Sequence, residues 1–297
     1  MPSSEKFLQD PELTKLAKLH PCLNREANSK FGRLHLPVSP ACNIQCRFCR
    51  RTLNKSEQRP GVTGAVLTPQ EALLKVGQAL ELCPDITVVG IAGPGDTLAT
   101  DAALETFRLV HEKYPGLIKC LSTNGLLLPE KWRALFEAGV RTVTVTVNAV
   151  DPEIQAKIIS HIVYEGVTYT GVRAAQILID RQLEGIRLMH ELGAVVKINT
   201  VLIPGVNDRH IEEIARTVKD AGAGVYNIIP LIPQHDFAGT PAPSCEELND
   251  ARAAAEKYLP VFRHCQHCRA DACGIPSKGD LSSKLYANAA PETFSHG

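Results

Sequence analysis

The sequence contains no apolar run approaching the length of a membrane span, and its first 20 residues, MPSSEKFLQDPELTKLAKLH, hold no apolar core of signal-peptide length. It has no excess of charge: 32 Lys and Arg balance 32 Asp and Glu, for a formal net charge of zero. A global electrostatic basis for binding nucleic acid or an anionic membrane is therefore missing. No repeat of solenoid length is present either. These absences predict a cytoplasmic, monomeric protein with no nucleic-acid or membrane partner. The remainder is ordinary for a globular chain: 297 residues, 44% hydrophobic and 22% charged, enough for one large domain or two small ones.

Cysteine is the exception, with 10 residues. A secreted disulfide framework fits poorly, because the chain is not small and carries no signal peptide. Most of the cysteines also lie in short clusters, too close in sequence to bridge one another comfortably. In a reducing compartment, clustered thiols point to metal.

Short β-rich runs alternate with helical patterns. Strands are predicted at 34–39, 86–92, 117–122, 141–148, 194–201 and 224–230, and helices near 69–82, 101–113, 129–138, 173–192 and 208–221. Thr68-Pro69, Asp101, Pro129 and Asn207-Asp208 supply helix starts. Such alternation implies parallel strands with right-handed crossovers, and six units suggest an open, partial (β/α)6 TIM-like barrel. The expected organisation is an N-terminal extension over 1–32, the barrel over 33–232, a C-terminal extension over 233–276 and a flexible tail over 277–297. Residues 40–68 form a connection longer than most strand–helix loops, a feature usually tied to function. Residues 149–172 form an insertion with a short helix. On the fourth strand Thr142, Thr144, Thr146 and Asn148 share one face and Val143, Val145 and Val147 the other. Lys197 and Asn199 share a face of the next strand. A polar barrel lumen and a solvated edge strand both account for this pattern.

The strongest local signal is the loop motif Cys42-Asn43-Ile44-Gln45-Cys46-Arg47-Phe48-Cys49, with C-x-x-x-C-x-x-C spacing. Three thiolates can hold three irons of a four-iron cluster and leave the fourth open to a substrate. Ferredoxins use a tighter spacing, and a structural zinc would need a fourth ligand nearby. Phe48 could shield the cluster or pack on an adenine ring. The motif, with an aromatic residue before its last cysteine, resembles the radical S-adenosylmethionine (SAM) superfamily. That resemblance implies a [4Fe–4S] cluster whose open iron chelates SAM, which one electron cleaves to methionine and a 5′-deoxyadenosyl radical. It further implies cofactor contacts from Gly93 and Gly95, with Asp96 where the family has a glutamate, and from Ser122, Asn124, Asn148 and Ile203. All lie at carboxyl ends of predicted strands, where barrel enzymes place their sites.

The C-terminal run HCQHCRADACG carries Cys265, Cys268 and Cys273. A second iron–sulfur cluster and a zinc knuckle completed by His264 and His267 both fit its density. Cys22, His35 and Cys120 read singly as core residues, as do Cys83 and Cys245. Taken together, however, HPCLN, SPACNIQCRFCRR, AGPGD, STNG and HCQHCRADACG resemble the nitrogenase-cofactor biosynthesis family of the same superfamily, in its short form without a NifX-like domain. The resemblance covers residues 20–279. It implies three [4Fe–4S] clusters: one on Cys42, Cys46 and Cys49, a substrate cluster on Cys22, His35 and Cys120, and a second on Cys265, Cys268 and Cys273. It implies fusion of the two substrate clusters around a SAM-derived carbide, with an extra sulfur, to an eight-iron precursor of the nitrogenase cofactor. Its implied partners are iron–sulfur cluster donors, an electron donor such as ferredoxin or flavodoxin, and nitrogenase cofactor scaffold or carrier proteins. The competing expectations are another radical SAM enzyme with auxiliary clusters acting on an organic substrate, and a non-catalytic cluster carrier. Glu57, Asp96, His235 and Asp236 are candidate proton acceptors by loop position alone.

Overall fold

Strand–helix alternation sets the architecture. This computed structural model describes residues 11–287 together with 295 and 296. Six strands run parallel in chain order: β1 (Gly32–His35), β2 (Ile86–Ile91), β3 (Ile118–Thr123), β4 (Val140–Thr146), β5 (Val195–Leu202) and β6 (Val225–Pro230). Their order across the sheet is the order of the chain, and a short strand β7 (Cys273–Gly274) caps the β1 edge antiparallel. The result is a curled half-barrel of seven strands: the six parallel ones that the alternation predicts, and β7, which it does not.

A helix follows each parallel strand: α1 (Pro69–Leu82), α2 (Ala102–Lys113), α3 (Leu128–Glu137), α4 (Gly171–Glu191), α5 (Ile211–Asp220) and α6 (Cys245–Glu256). Thr68 and Glu71 close a capping box at α1, satisfying amide groups that the first turn leaves unpaired. Ser244 and Glu247 do the same at α6, a helix that the hydrophobic pattern alone does not announce. The helices bury the outward face of the sheet: Leu34, Val89, Leu121, Val143, Val145, Val196 and Ile198 are all within one apolar core. The polar rows of β4 and β5 therefore face the lumen. Because β4 pairs with β3 on one side and β5 on the other, its threonines do not belong to a solvated edge.

Three departures from expectation bear on the site. The insertion contains the expected short helix (Pro152–Ile158), followed by an unexpected hairpin, Ile159–Tyr164 with Val167–Thr170. Its turn places Glu165 and Gly166 at φ 51° and 76°, a conformation usually announced by Asn-Gly or Asp-Gly. The hairpin pairs with Ile44–Cys46 of the cysteine loop, so the insertion braces that loop. Second, the tail expected to be flexible from residue 277 packs on the barrel up to residue 287, with Leu285 and Tyr286 buried in the main core. Residues 288–294 and 297 lie outside the described residues. Third, the N-terminal segment crosses the lumen. Thr87 at the start of β2 donates to the Leu19 carbonyl, and Lys197 of β5 donates to the Cys22 carbonyl at 3.2 Å. Among the described residues, no helix is long and apolar enough to cross a membrane.

Candidate active site

Two groups of thiols occupy the barrel. The first is the contiguous triplet. Cys42, Cys46 and Cys49 follow β1 on a loop fixed by the Ile44–Cys46 pairing and by Gln45, whose amide donates to the carbonyls of Cys46 and Cys49. Burial pushes the Cys42 thiol up to about 12, helped by the nearby Asp96 carboxyl, and raises Cys46 and Cys49 as well. Arg51 opposes the shift at all three. Iron binding requires thiolates, so a cluster held here would release protons on binding, and Arg51 would offset the charge left behind.

Two orphaned donors test whether the triplet fits its implied cofactor. Arg51 Nε and Asn43 Nδ2 are buried without a partner. A cationic and a neutral donor left unpaired beside three thiols fit an anionic guest, such as a cluster and the carboxylate of SAM. Neither residue is singled out by the cysteine spacing, although Arg51 lies only two positions beyond Cys49.

The remaining cofactor-contact candidates fall around this loop in distinct roles. Phe48 and Ile203, far apart in sequence, pack against one apolar cluster with Ala149, Ile158 and Leu231. Asn124 donates to Asn43 at 2.6 Å and reaches the Cys42 sulfur at 4.0 Å. Gly95 packs so closely on the chain before Cys42 that a Cβ would lie 2.1 Å from the Ala41 carbonyl oxygen, and its own amide donates to Ser39. Ser122 is half-buried on the lumen side of β3, and Gly93 adopts φ +113°, which favours glycine.

Asp96 and Asn148 instead join parts of the scaffold. Asp96 accepts from the amides of Leu98 and Asn124 and from the Thr123 hydroxyl, so both its oxygens are engaged; burial raises its pKa despite these bonds. It holds Asn124 in place. Asn148 Oδ1 accepts from the Val201 amide, and its carbonyl accepts from Asn207. Glu57 is held by Arg59, Asn54 and Thr52, bonds that outweigh its burial and keep its pKa below the usual value. Asp236 pairs with Arg47 at 2.9 Å and with His235 at 2.9 Å, at the edge of the cysteine loop.

The second group is assembled from four distant segments. Cys120 from β3, and Cys265 and Cys268 from the C-terminal run, all lie within electrostatic reach of Cys22 in the N-terminal crossing. Burial pushes the Cys22 thiol up to about 12, opposed by Lys197 and reinforced by Cys268, Cys120 and Cys265. Burial also raises Cys120, again opposed by Lys197. Lys197 is 6% exposed, an unusual place for a lysine unless anionic groups accompany it. Arg33, 4% exposed, donates to the Cys268 sulfur at 3.3 Å.

His35 joins this group from β1. Its ring lies over Gly90, where a Cβ would come within 3.1 Å of the imidazole. Its Nδ1 is 3.0 Å from the Arg269 carbonyl oxygen. A carbonyl only accepts, so Nδ1 carries the hydrogen and Nε2 keeps the lone pair a metal needs. Burial, with Arg33 nearby, lowers the His35 pKa to about 4, which keeps the ring neutral.

Cys273 does not join. It pairs across from Leu34 on β7, and its side chain is fully buried in the helix-side core, with Cys83 as a neighbouring thiol. Strand alternation puts it on the opposite face from Arg33 and His35. The C-terminal run therefore offers two lumen cysteines, Cys265 and Cys268. Among the described residues, no three His, Cys, Asp or Glu side chains, the triplet included, are placed closely enough to hold a single metal ion.

A buried ion pair that cysteine spacing does not disclose joins the two groups. Arg269 and Asp271 pair at 2.8 Å and are 4% and 3% exposed. Arg269 also donates to the carbonyls of Glu57 and Asn54, and Asp271 accepts from the Gly64 amide. The C-terminal run is thus clamped against the chain leaving the triplet.

A half-barrel with a three-cysteine loop at the carboxyl end of its first strand defines a radical SAM enzyme. Residues 36–218 match the Radical SAM superfamily. Solved structures share the fold: a radical SAM methyltransferase from Sphaerobacter thermophilus at TM-score 0.55 and 21% identity, covering 78% of this chain and 64% of that one. Streptococcus suis SuiB bound to S-adenosylmethionine aligns at TM-score 0.55 and 15% identity, covering 84% and 54%. More specific is the likeness to the FeMo cofactor biosynthesis protein NifB. The protein of that name from Methanocaldococcus infernus is 48% identical over 273 residues, 91% of this chain and 90% of its own length. That of Klebsiella pneumoniae is 44% identical over 292 residues, 96% of this chain and 62% of its own length. The chain belongs to the NifB family.

Proposed function

We propose that this enzyme fuses two four-iron substrate clusters, adding a SAM-derived carbide and an extra sulfur, into the eight-iron precursor of the nitrogenase cofactor. The observation that carries the reading is the convergence of Cys22, His35, Cys120, Cys265 and Cys268 in one lumen. A second group of thiols, distinct from the triplet and built from four segments, suits cargo better than a resident electron-transfer cluster.

Cys42, Cys46 and Cys49 would hold the resident cluster, and Asn43, Arg51, Asn124 and the Gly93–Gly95 backbone would surround the polar end of SAM. Phe48 and Ile203 would shelter its adenine. When bound, the cluster and SAM supply one-electron cleavage of the sulfonium and a radical able to abstract hydrogen. Cys22, His35 and Cys120 would hold one substrate cluster. Cys265 and Cys268 would hold the other, its third ligand coming from a residue other than Cys273. Lys197 and Arg33 offset the anionic charge that both cargoes bring into a buried lumen. Imidazole is a more weakly held, protonatable ligand than thiolate, so the His35 end releases its cargo more readily. The partners of this reading are cluster donors, a flavodoxin- or ferredoxin-type reductant and cofactor scaffold or carrier proteins in an anaerobic cytoplasm.

The test is anaerobic incubation with dithionite and SAM labelled in its methyl carbon. The expected result is 5′-deoxyadenosine release together with label in a protein-bound, acid-labile iron–sulfur product. A cluster carrier would release no 5′-deoxyadenosine. An enzyme acting on an organic substrate would leave the iron–sulfur product unlabelled.

A further inference from the structure

The lumen holds a second histidine with the opposite hydrogen-bond arrangement. His20 is 1% exposed and lies two residues before Cys22, where the N-terminal segment crosses the barrel. Its Nδ1 is 3.1 Å from the Cys22 backbone nitrogen. A backbone N–H only donates, so Nδ1 must be the acceptor and Nε2 must carry the hydrogen. His35 is the mirror case, with Nδ1 donating and Nε2 bare. Two imidazoles within electrostatic reach of one another are thus fixed in opposite tautomers by the backbone.

The consequence for His20 is specific. An Nε2 that carries hydrogen cannot ligate iron without breaking the bond that shapes the Cys22 turn. Yet His20 Nε2 is buried with no hydrogen-bond partner. A buried donor with nothing to donate to costs free energy, and such groups are rare unless a ligand completes them. Its charged or titratable neighbours are Lys197, which offers no acceptor, and His35, whose bare Nε2 is not hydrogen-bonded to it and on the proposed reading is kept for iron.

Resting on the substrate-cluster reading, we infer that His20 donates an Nε2–H hydrogen bond to a sulfur of the cluster held by Cys22, His35 and Cys120, and is not one of its ligands. Hydrogen bonds to cluster sulfurs raise the reduction potential and draw electron density from the bonded sulfur. His20 would thereby distinguish one sulfur from the others and hold the cargo in one orientation while His35 and the thiols grip its irons.

Two substitutions separate the two nitrogens of His20. His20→Asn keeps an acceptor near the Nδ1 position for the Cys22 amide but loses the Nε2 donor. His20→Gln carries an amide N–H near the Nε2 position. Full-length wild-type, His20→Asn, His20→Gln and His35→Ala proteins are reconstituted anaerobically with iron and sulfide. Iron content, the midpoint potential of the lumen clusters and nitrogen couplings by pulsed electron paramagnetic resonance are then compared. The expected result is that His20→Asn keeps wild-type iron and the strong coupling of a ligating nitrogen, while its midpoint moves to more negative potential. His20→Gln restores the midpoint, and His35→Ala alone abolishes the strong coupling. Loss of that coupling in His20→Asn would make His20 a ligand and overturn the inference, as would an unchanged midpoint. If wild type loads only the roughly four irons of the triplet, the substrate-cluster reading fails and this inference with it. If wild type loads fully and the His20 variants match it, this inference alone fails.

Discussion

The two thiol groups are built in contrasting ways. Cys42, Cys46 and Cys49 come from eight consecutive residues, braced by a hairpin and a few local bonds. Cys22, His35, Cys120, Cys265 and Cys268 come from an N-terminal crossing, two strands and a C-terminal run, and only the closed fold brings them together. The first group can be written as a motif, because one loop carries its geometry. The second is a property of the half-barrel, held by Lys197, Arg33 and the Arg269–Asp271 clasp. On the proposed reading, a resident cofactor suits the local design. On the same reading, a lumen whose walls belong to different segments suits cargo that must enter, react and leave.

The contrast can be broken at several points. Cys42→Ala has the largest expected effect: 5′-deoxyadenosine formation falls to background, while the lumen still takes up about eight irons per chain. Persistent SAM cleavage would remove the triplet from its role. Next is the clasp. Arg269→Met leaves Asp271 charged and unpaired in a buried site, a change that costs about 3–5 kcal/mol. Chemical denaturation should show that loss, with the C-terminal cysteines failing to load; a midpoint like wild type would mean that the two groups are not joined there. Cys120→Ser is more selective. Iron content should fall from about 12 to about 8 per chain while SAM cleavage survives, and full loading would sever β3 from the lumen site. Cys273→Ser is the mildest. A hydroxyl in place of a core thiol destabilises by roughly 1–3 kcal/mol, but iron content stays at wild type. Loss of iron in this variant would return Cys273 to the ligand set.

What could be read from the sequence follows the same division. Alternation gave the six parallel strands and five of the six helices because each is a local pattern, whereas α6 was not among them, and the C-x-x-x-C-x-x-C spacing made the triplet legible as a candidate site. The polar face of β4 was legible as a face, but only its pairing with β3 and β5 distinguishes a lumen from an edge. Cys273 resembled its neighbours in the cysteine run; the antiparallel pairing with Leu34 is what turns it toward the helices. Asp96 stood where the superfamily has a glutamate, yet its bonds to Thr123 and to the Asn124 amide make it a brace for the site. The hairpin after residue 158 was concealed by a turn beginning with glutamate. The Arg269–Asp271 pair and the His20 tautomer have no sequence signature, since both depend on backbone groups supplied from elsewhere in the chain or by the turn itself.

Counting iron in the anaerobically reconstituted chain tests the central claim most directly, comparing wild type with a Cys22→Ser, Cys120→Ser, Cys265→Ser, Cys268→Ser variant. The account predicts about 12 irons for wild type and about four for the variant, with SAM cleavage intact in both. Wild type holding only about four irons, or a variant still holding about 12, would contradict it.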